Sequence, residues 1–135
     1  RWLGARCDAR RADFDDHSGL NGSTRVSASD MVKALTAPRV EGQLRPVLRE
    51  ITVGDAAPVR IQAKTGTLNF VSGLAGYFPA RSGRMLAFAT FCADTDRRAG
   101  LSVGQRERPE GGRAWSRRAR SLQFDLIERW AAVHG

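Results

Sequence analysis

The chain has 135 residues, 41% hydrophobic and 27% charged, and its 22 Lys and Arg against 14 Asp and Glu give a formal net charge of +8. A bilayer span needs about 18 or more consecutive apolar residues, and the longest candidate, residues 70–78, is interrupted by Ser72, Gly73 and Gly76, so no membrane span is expected. The charged share is that of an ordinary globular domain rather than a disordered tail, and the length suits one core of usual size.

Residues 1–14 set Arg1, Arg6, Arg10 and Arg11 among apolar residues, without the basic head, apolar centre and small-residue cleavage site of a signal peptide. They read as the interior of a longer protein. Asp, Asn, Ser and Gly crowd residues 15–24, which is turn chemistry and predicts a loop. Ser27 then stands as an N-cap with Asp30 three residues on, in capping-box spacing. Met31, Val32 and Leu35 supply an apolar stripe, so a helix is expected over residues 28–36, stopping before Pro38. Residues 42–48 suit a further helical turn or two, and residues 52–58 a loop.

From Val59 the period shortens to two. Residues 59–64 predict a strand ending at Thr65-Gly66, residues 68–78 a second, and residues 85–92 a third, with a hairpin link over residues 79–83. Three strands joined by short links imply an antiparallel meander. Gly73 and Gly76 suit a bulge or the close approach of another segment. Residues 94–112 are polar and read as loop. Trp115, Ala119, Leu122, Leu126, Trp130 and Val133 then recur at steps of three and four, which predicts a long helix laid on the sheet.

Other chemistry is sparse. Cys7 and Cys92 lack the paired spacing of a zinc site and neither His17 nor His134 has a helical partner at ligand spacing, so no metal and no cofactor is expected. Cys92 reads as a small core residue, with a Cys7 disulfide left open. All the basic residues except Lys33 and Lys64 are arginines, thickening only at residues 97–98, 106–108 and 113–120, with no nucleic-acid motif. A solvated basic surface is expected and a nucleic-acid partner is not; a basic module for nucleic acid or another anionic polymer is the alternative.

Lys64-Thr65-Gly66-Thr67 concentrates chemistry at a strand. An ammonium beside small hydroxyls and a glycine can hold a carboxylate, and exposed strand amides can pair with an extended peptide. A plain strand terminus with a solvated lysine is the other reading of those four residues alone. Asp16-His17-Ser18-Gly19-Leu20, Arg25-Val26-Ser27, Lys64-Thr65-Gly66-Thr67-Leu68 and Leu74-Ala75-Gly76-Tyr77 occur in that order. The ordered set resembles the penicillin-recognising serine hydrolases, in particular their D-alanyl-D-alanine carboxypeptidase/endopeptidases of the DacB type, for which the Lys-Thr-Gly and Ser-x-x-Lys motifs are signatures. The resemblance covers the chain from Phe14 onward.

The resemblance implies an α/β (α+β) fold of the beta-lactamase/transpeptidase kind, an antiparallel sheet flanked by helices. Residues 1–135 would be its C-terminal part, contributing a three-strand meander and the terminal helix, and its open sheet edge would invite association. It implies that Ser18 is the second-motif serine that moves a proton and that Lys64 supports the relay and attracts a terminal carboxylate. Thr65 and Thr67 would offer hydroxyls to that carboxylate, the Thr67 amide would form half of an oxyanion hole, and Gly66 would keep the strand open. The implied substrate is a peptidoglycan stem peptide or a beta-lactam, and the implied location is periplasmic or otherwise extracytoplasmic. Two departures stand out. The family's Ser-x-Asn is not matched, because Leu20 follows Ser18 by two and Asn21 by three; Asn21 fits either an active-site amide or a turn residue. No serine has a lysine three residues on, the nearest being Ser29 and Lys33, four apart, so the nucleophile is expected upstream of Arg1 and the chain by itself is expected to be inactive; a non-catalytic homologue that kept the fold and lost the nucleophile is the other alternative. A catalytic His17 is disfavoured, since adjacency in sequence does not set an imidazole against a hydroxyl.

Overall fold

The computed structural model describes residues 7–9, 12–16, 18–106 and 108–134. Arg1, Arg6, Arg10, Arg11 and His17, which entered the sequence reading, lie outside them. Ser27 caps helix α1 (Ala28–Leu35), its Oγ accepting from the Asp30 amide at 3.0 Å. Pro38 does more than end that helix. It opens α2 (Pro38–Leu44), where the amide that proline lacks has no helical partner to lose, and a 3₁₀ turn (Arg45–Val47) follows.

Four strands come next, one more than expected: β1 (Arg49–Val53), β2 (Val59–Leu68), β3 (Val71–Pro79) and β4 (Met85–Ala93). They form an antiparallel meander in the order β1-β2-β3-β4. β1 takes Thr52 and Val53 from the stretch expected to be loop. Its alternation of Ile51 and Val53 with exposed Glu50 and Thr52 is too short to stand out by period, and pairing with β2 fixes it.

The break expected at Thr65-Gly66 is also absent. β2 continues to Leu68 and the chain reverses at Asn69 and Phe70, with Phe70 at a left-handed φ of 58°. That backbone costs a residue with a Cβ about 1–2 kcal/mol, which burial of the ring offsets: Phe70 is fully buried and meets Trp115 edge-on, ring centroids 6.0 Å apart. The β3–β4 link falls where expected, with the Ala80 amide donating to Arg84 O at 2.7 Å and Gly83 at φ 80°. The β2–β3 register runs unbroken through Gly73 and Gly76, so neither marks a bulge. Gly76 does mark a close approach, since a Cβ there would lie 2.6 Å from Ala63 Cα.

The polar stretch after β4 is not all loop. Asp94 Oδ1 accepts from the Arg97 amide and caps α3 (Thr95–Ala99), and a 3₁₀ turn (Val103–Gln105) follows. The terminal helix α4 (Gly112–His134) is as long as expected, but its buried face is rotated from the expected stripe. Gly112, Ala119, Gln123 and Ile127 are buried, whereas Leu122 and Val133 are 52% and 59% exposed. Gln123 explains the rotation. Its Nε2 donates to Ser72 O and its Oε1 accepts from Ser72 Oγ, both at 3.1 Å, so a residue that counts as polar in a periodicity is satisfied against β3.

Alternation along β3 places the helices. Ser72 faces α4 through Gln123, while the phenol of Tyr77, five residues on and so on the opposite face, donates to Leu35 O of α1 at 2.8 Å. The sheet therefore lies between α4 and α1. On the α4 side Val53, Ile61, Ala63, Leu74, Phe78, Phe88 and Ile127 form the core, and full burial of each larger side chain contributes about 1.5–3 kcal/mol. Cys7 and Cys92 are free thiols, so the open disulfide is not formed; burial pushes the Cys92 thiol up.

Candidate active site

β1 and β2 differ in length, and the difference creates the site. β1 begins at Arg49, opposite Ala63, and pairs β2 back to Val59. The remaining five residues of β2, Lys64 to Leu68, pair with β3 from Ala75 to Val71 and with no strand among the described residues on the other side. Alternate residues of a strand direct their N–H and C=O to one edge, so this stretch presents free backbone donors and acceptors. Lys64, Thr65, Gly66 and Thr67 are all exposed.

The side chains divide about that edge. Lys64 and Gly66 oppose Ala75 and Gly73 on the Tyr77 face, and Thr65 and Thr67 oppose Leu74 and Ser72 on the α4 face. The Lys64 ammonium donates to Thr65 O, which holds its charge close to the motif. Gly66 has no internal reason to be glycine, because a Cβ there would meet nothing within 4 Å.

The upstream candidates form a separate turn. Ser18 donates through both its amide and its Oγ to Asp16 Oδ1 at 2.9 Å, and its Oγ accepts from the Leu20 amide at 3.0 Å. Asn21 Nδ2 donates to Asp15 Oδ2 and Asn21 Oδ1 accepts from the Ser23 amide at 2.8 Å. A two-bond bridge between Asp13 and Arg25, both at 2.7 Å, closes the loop. Lys64, Thr65, Gly66 and Thr67 are thus brought together on one strand, and Ser18 and Asn21 on one loop. No hydrogen bond among the described residues joins the loop to the strand.

Sequence reasoning missed the bracing of the strand's far end. Arg98 Nη1 donates to Asn69 O at 3.1 Å, Asn69 Nδ2 donates to Arg106 O, and the Asp94 amide donates to Phe70 O at 2.9 Å. Arg97 stacks 4.4 Å over the Phe70 ring while its Nη2 donates to Glu110 O. Arginines that looked like a basic cluster by composition are internal ties of the hairpin that carries the motif. Only a side chain buried at the reversal could have signalled this, and Phe70 gives no such sign in sequence. Among the described residues no group of three or more His, Cys, Asp or Glu could hold a metal, and no helix is long and apolar enough to cross a membrane.

A helix-flanked antiparallel sheet with an uncovered Lys-Thr-Gly-Thr segment meets a specific match in sequence: the family of D-Ala-D-Ala carboxypeptidase 3 (S13) fits residues 3–107, a span that holds both the Ser18 loop and the Lys64 strand. The class is thereby that of the peptidases. The chain belongs to the D-Ala-D-Ala carboxypeptidase 3 (S13) family, which agrees with the DacB-type resemblance of its motifs. No curated protein and no solved structure matches it.

Proposed function

We propose that the chain is the substrate-holding C-terminal portion, one domain part over residues 1–135, of a serine-type D-Ala-D-Ala carboxypeptidase/endopeptidase acting on peptidoglycan stem peptides outside the cytoplasm. The observation that carries this reading is the uncovered edge of residues 64–68, where free strand amides are flanked by an ammonium on one face and two hydroxyls on the other, beside a glycine that packing does not require. An extended peptide adds to that edge as a strand. Lys64 then attracts its terminal carboxylate, Thr65 and Thr67 donate hydroxyl hydrogen bonds to it, and the Thr67 amide faces the oxygen that gains charge during acyl transfer. Ser18 moves the proton between nucleophile and departing amine, and Asn21 holds the turn that presents it. The attacking serine and its lysine must come from outside residues 1–135, since no Ser-x-x-Lys occurs within them.

The test is a titration of the labelled chain with a D-alanyl-D-alanine-terminated tripeptide, followed by amide chemical shifts. Shifts should concentrate on residues 64–68 and weaken roughly tenfold in affinity on Lys64→Ala, the loss of one charge-assisted contact. Shifts confined to other segments would overturn the reading. Incubation with a fluorescent penicillin and intact-mass measurement should leave the chain without an adduct; a covalent adduct would show that a nucleophile is present after all.

A further inference from the structure

Arg49 is the first residue of β1 and stands opposite Ala63. Residues opposite one another in an antiparallel pair share a face, and Ala63 lies two before Thr65. Arg49 therefore occupies the face that carries the Thr65 and Thr67 hydroxyls. Farther along β1 that face is apolar, since Ile51 packs against the core and Val53 belongs to it. Arg49 itself is exposed and has no ion-pair partner among the described residues, whereas Arg45, in the turn that leads into β1, is paired with Glu41 at 3.8 Å. The nearby carboxylates lie elsewhere. Glu50 stands opposite Gln62, hence on the other face with Lys64, and the Glu128 side chain of α4 approaches Gly54, just past the far end of β1.

We propose that Arg49 is a specificity-determining residue, the guanidinium that receives the free carboxylate ending a bound peptide, a role that rests on the peptide lying along residues 64–68. A peptide laid antiparallel on that edge with its last residue opposite Thr65 continues the line of β1. That residue is two positions from Arg49 on the same face, about 7 Å at strand spacing, a span that an extended arginine covers. A guanidinium offers paired N–H groups that match the two oxygens of a carboxylate. On this face the carboxylate meets the cation and the threonine hydroxyls together; on the other, Glu50 repels it. Lys64, its ammonium drawn to Thr65 O, adds charge from across the strand without replacing that fork. The ligand must then end in a free carboxylate, because an amide cap forfeits the charge-assisted bonds to Arg49.

Two tripeptides test this, one ending in D-alanyl-D-alanine and one in its carboxamide, each titrated into the labelled chain and followed by amide chemical shifts, with folding checked by circular dichroism. The parent chain should bind the carboxylate peptide about 30-fold more tightly than the carboxamide. Arg49→Gln should weaken the carboxylate peptide about tenfold and leave the carboxamide unaffected. Arg49→Lys, which keeps the charge without the planar fork, should recover part of the loss. Equal affinity of the parent for both peptides, an unchanged affinity of Arg49→Gln for the carboxylate peptide, or an equal loss for both peptides would overturn the role of Arg49 while shifts on residues 64–68 still supported a peptide there. Absence of shifts on residues 64–68 with either peptide would overturn the peptide-binding reading of that edge, and the role of Arg49 with it.

Discussion

At Gly66 a Cβ would enter empty space, whereas at Gly76 on the neighbouring strand it would stand 2.6 Å from Ala63 Cα. Two glycines of one hairpin therefore lack side chains for opposite reasons, and alanine separates them. Gly76→Ala should cost about 1–3 kcal/mol in denaturant unfolding, the range for overpacking a closed site. Gly66→Ala should leave stability unchanged or raise it by about 0.5 kcal/mol, because glycine is an unfavourable strand residue, yet weaken binding of the D-alanyl peptide. Retention of peptide binding by Gly66→Ala would remove the main support for a ligand at that edge. Tyr77 gives a pH test. Burial chiefly, with Glu41 adding to it and Arg45 opposing it, pushes its phenol up from the usual value. A folded pKa above the unfolded one, about 10, means the stabilisation is complete below that pH and is lost as pH rises through the folded value. The unfolding midpoint should thus fall in strong alkali. Tyr77→Phe should lack that component, at a cost of about 1 kcal/mol at neutral pH for the bond to Leu35 O. As Tyr77 is the chain's single tyrosine, phenolate absorbance reports it directly, and titration at the ordinary value would contradict the shift.

At the scale of elements, the pairing of Ser72 with Gln123 decides how α4 sits. Both groups are buried and satisfy each other twice. Gln123→Leu should destabilise by about 1–3 kcal/mol, the cost of leaving buried polar partners unsatisfied, and adding Ser72→Ala should restore part of it; equal stability of Gln123→Leu and the parent would show that the helix is held by its apolar contacts alone. The same pair explains what sequence could and could not disclose. The cap of α1 was legible because Ser27 and Asp30 act locally, and the existence of α4 because its apolar spacing persists through 23 residues. Its exact face was not, since an amide bonded to a distant strand looks like a surface residue in a periodicity. β1 was hidden for a related reason: a five-residue strand with exposed Arg49, Glu50 and Thr52 is defined by the partner it pairs with.

For the whole molecule, the motif order was enough to point to the family, because Ser18, Lys64 and the residues around them are a matter of sequence. The geometry of the site was not, because the opening at residues 64–68 arises from the mismatch of two strand lengths, and the reversal beyond it from a buried ring at Phe70. That mismatch also imposes a direction. β1 and the uncovered stretch lie on one line along the outer side of β2, and β1 starts at Arg49, beside the Lys64 end. A peptide laid antiparallel to residues 64–68 runs the same way as β1 and sits in front of it, so its carboxyl end arrives at Arg49 while its amino end departs past Leu68. If residues 64–68 take a peptide as proposed, β1 is an end stop: the slot, about 17 Å long at strand spacing, would admit the tail of a chain and turn away a chain that continues through.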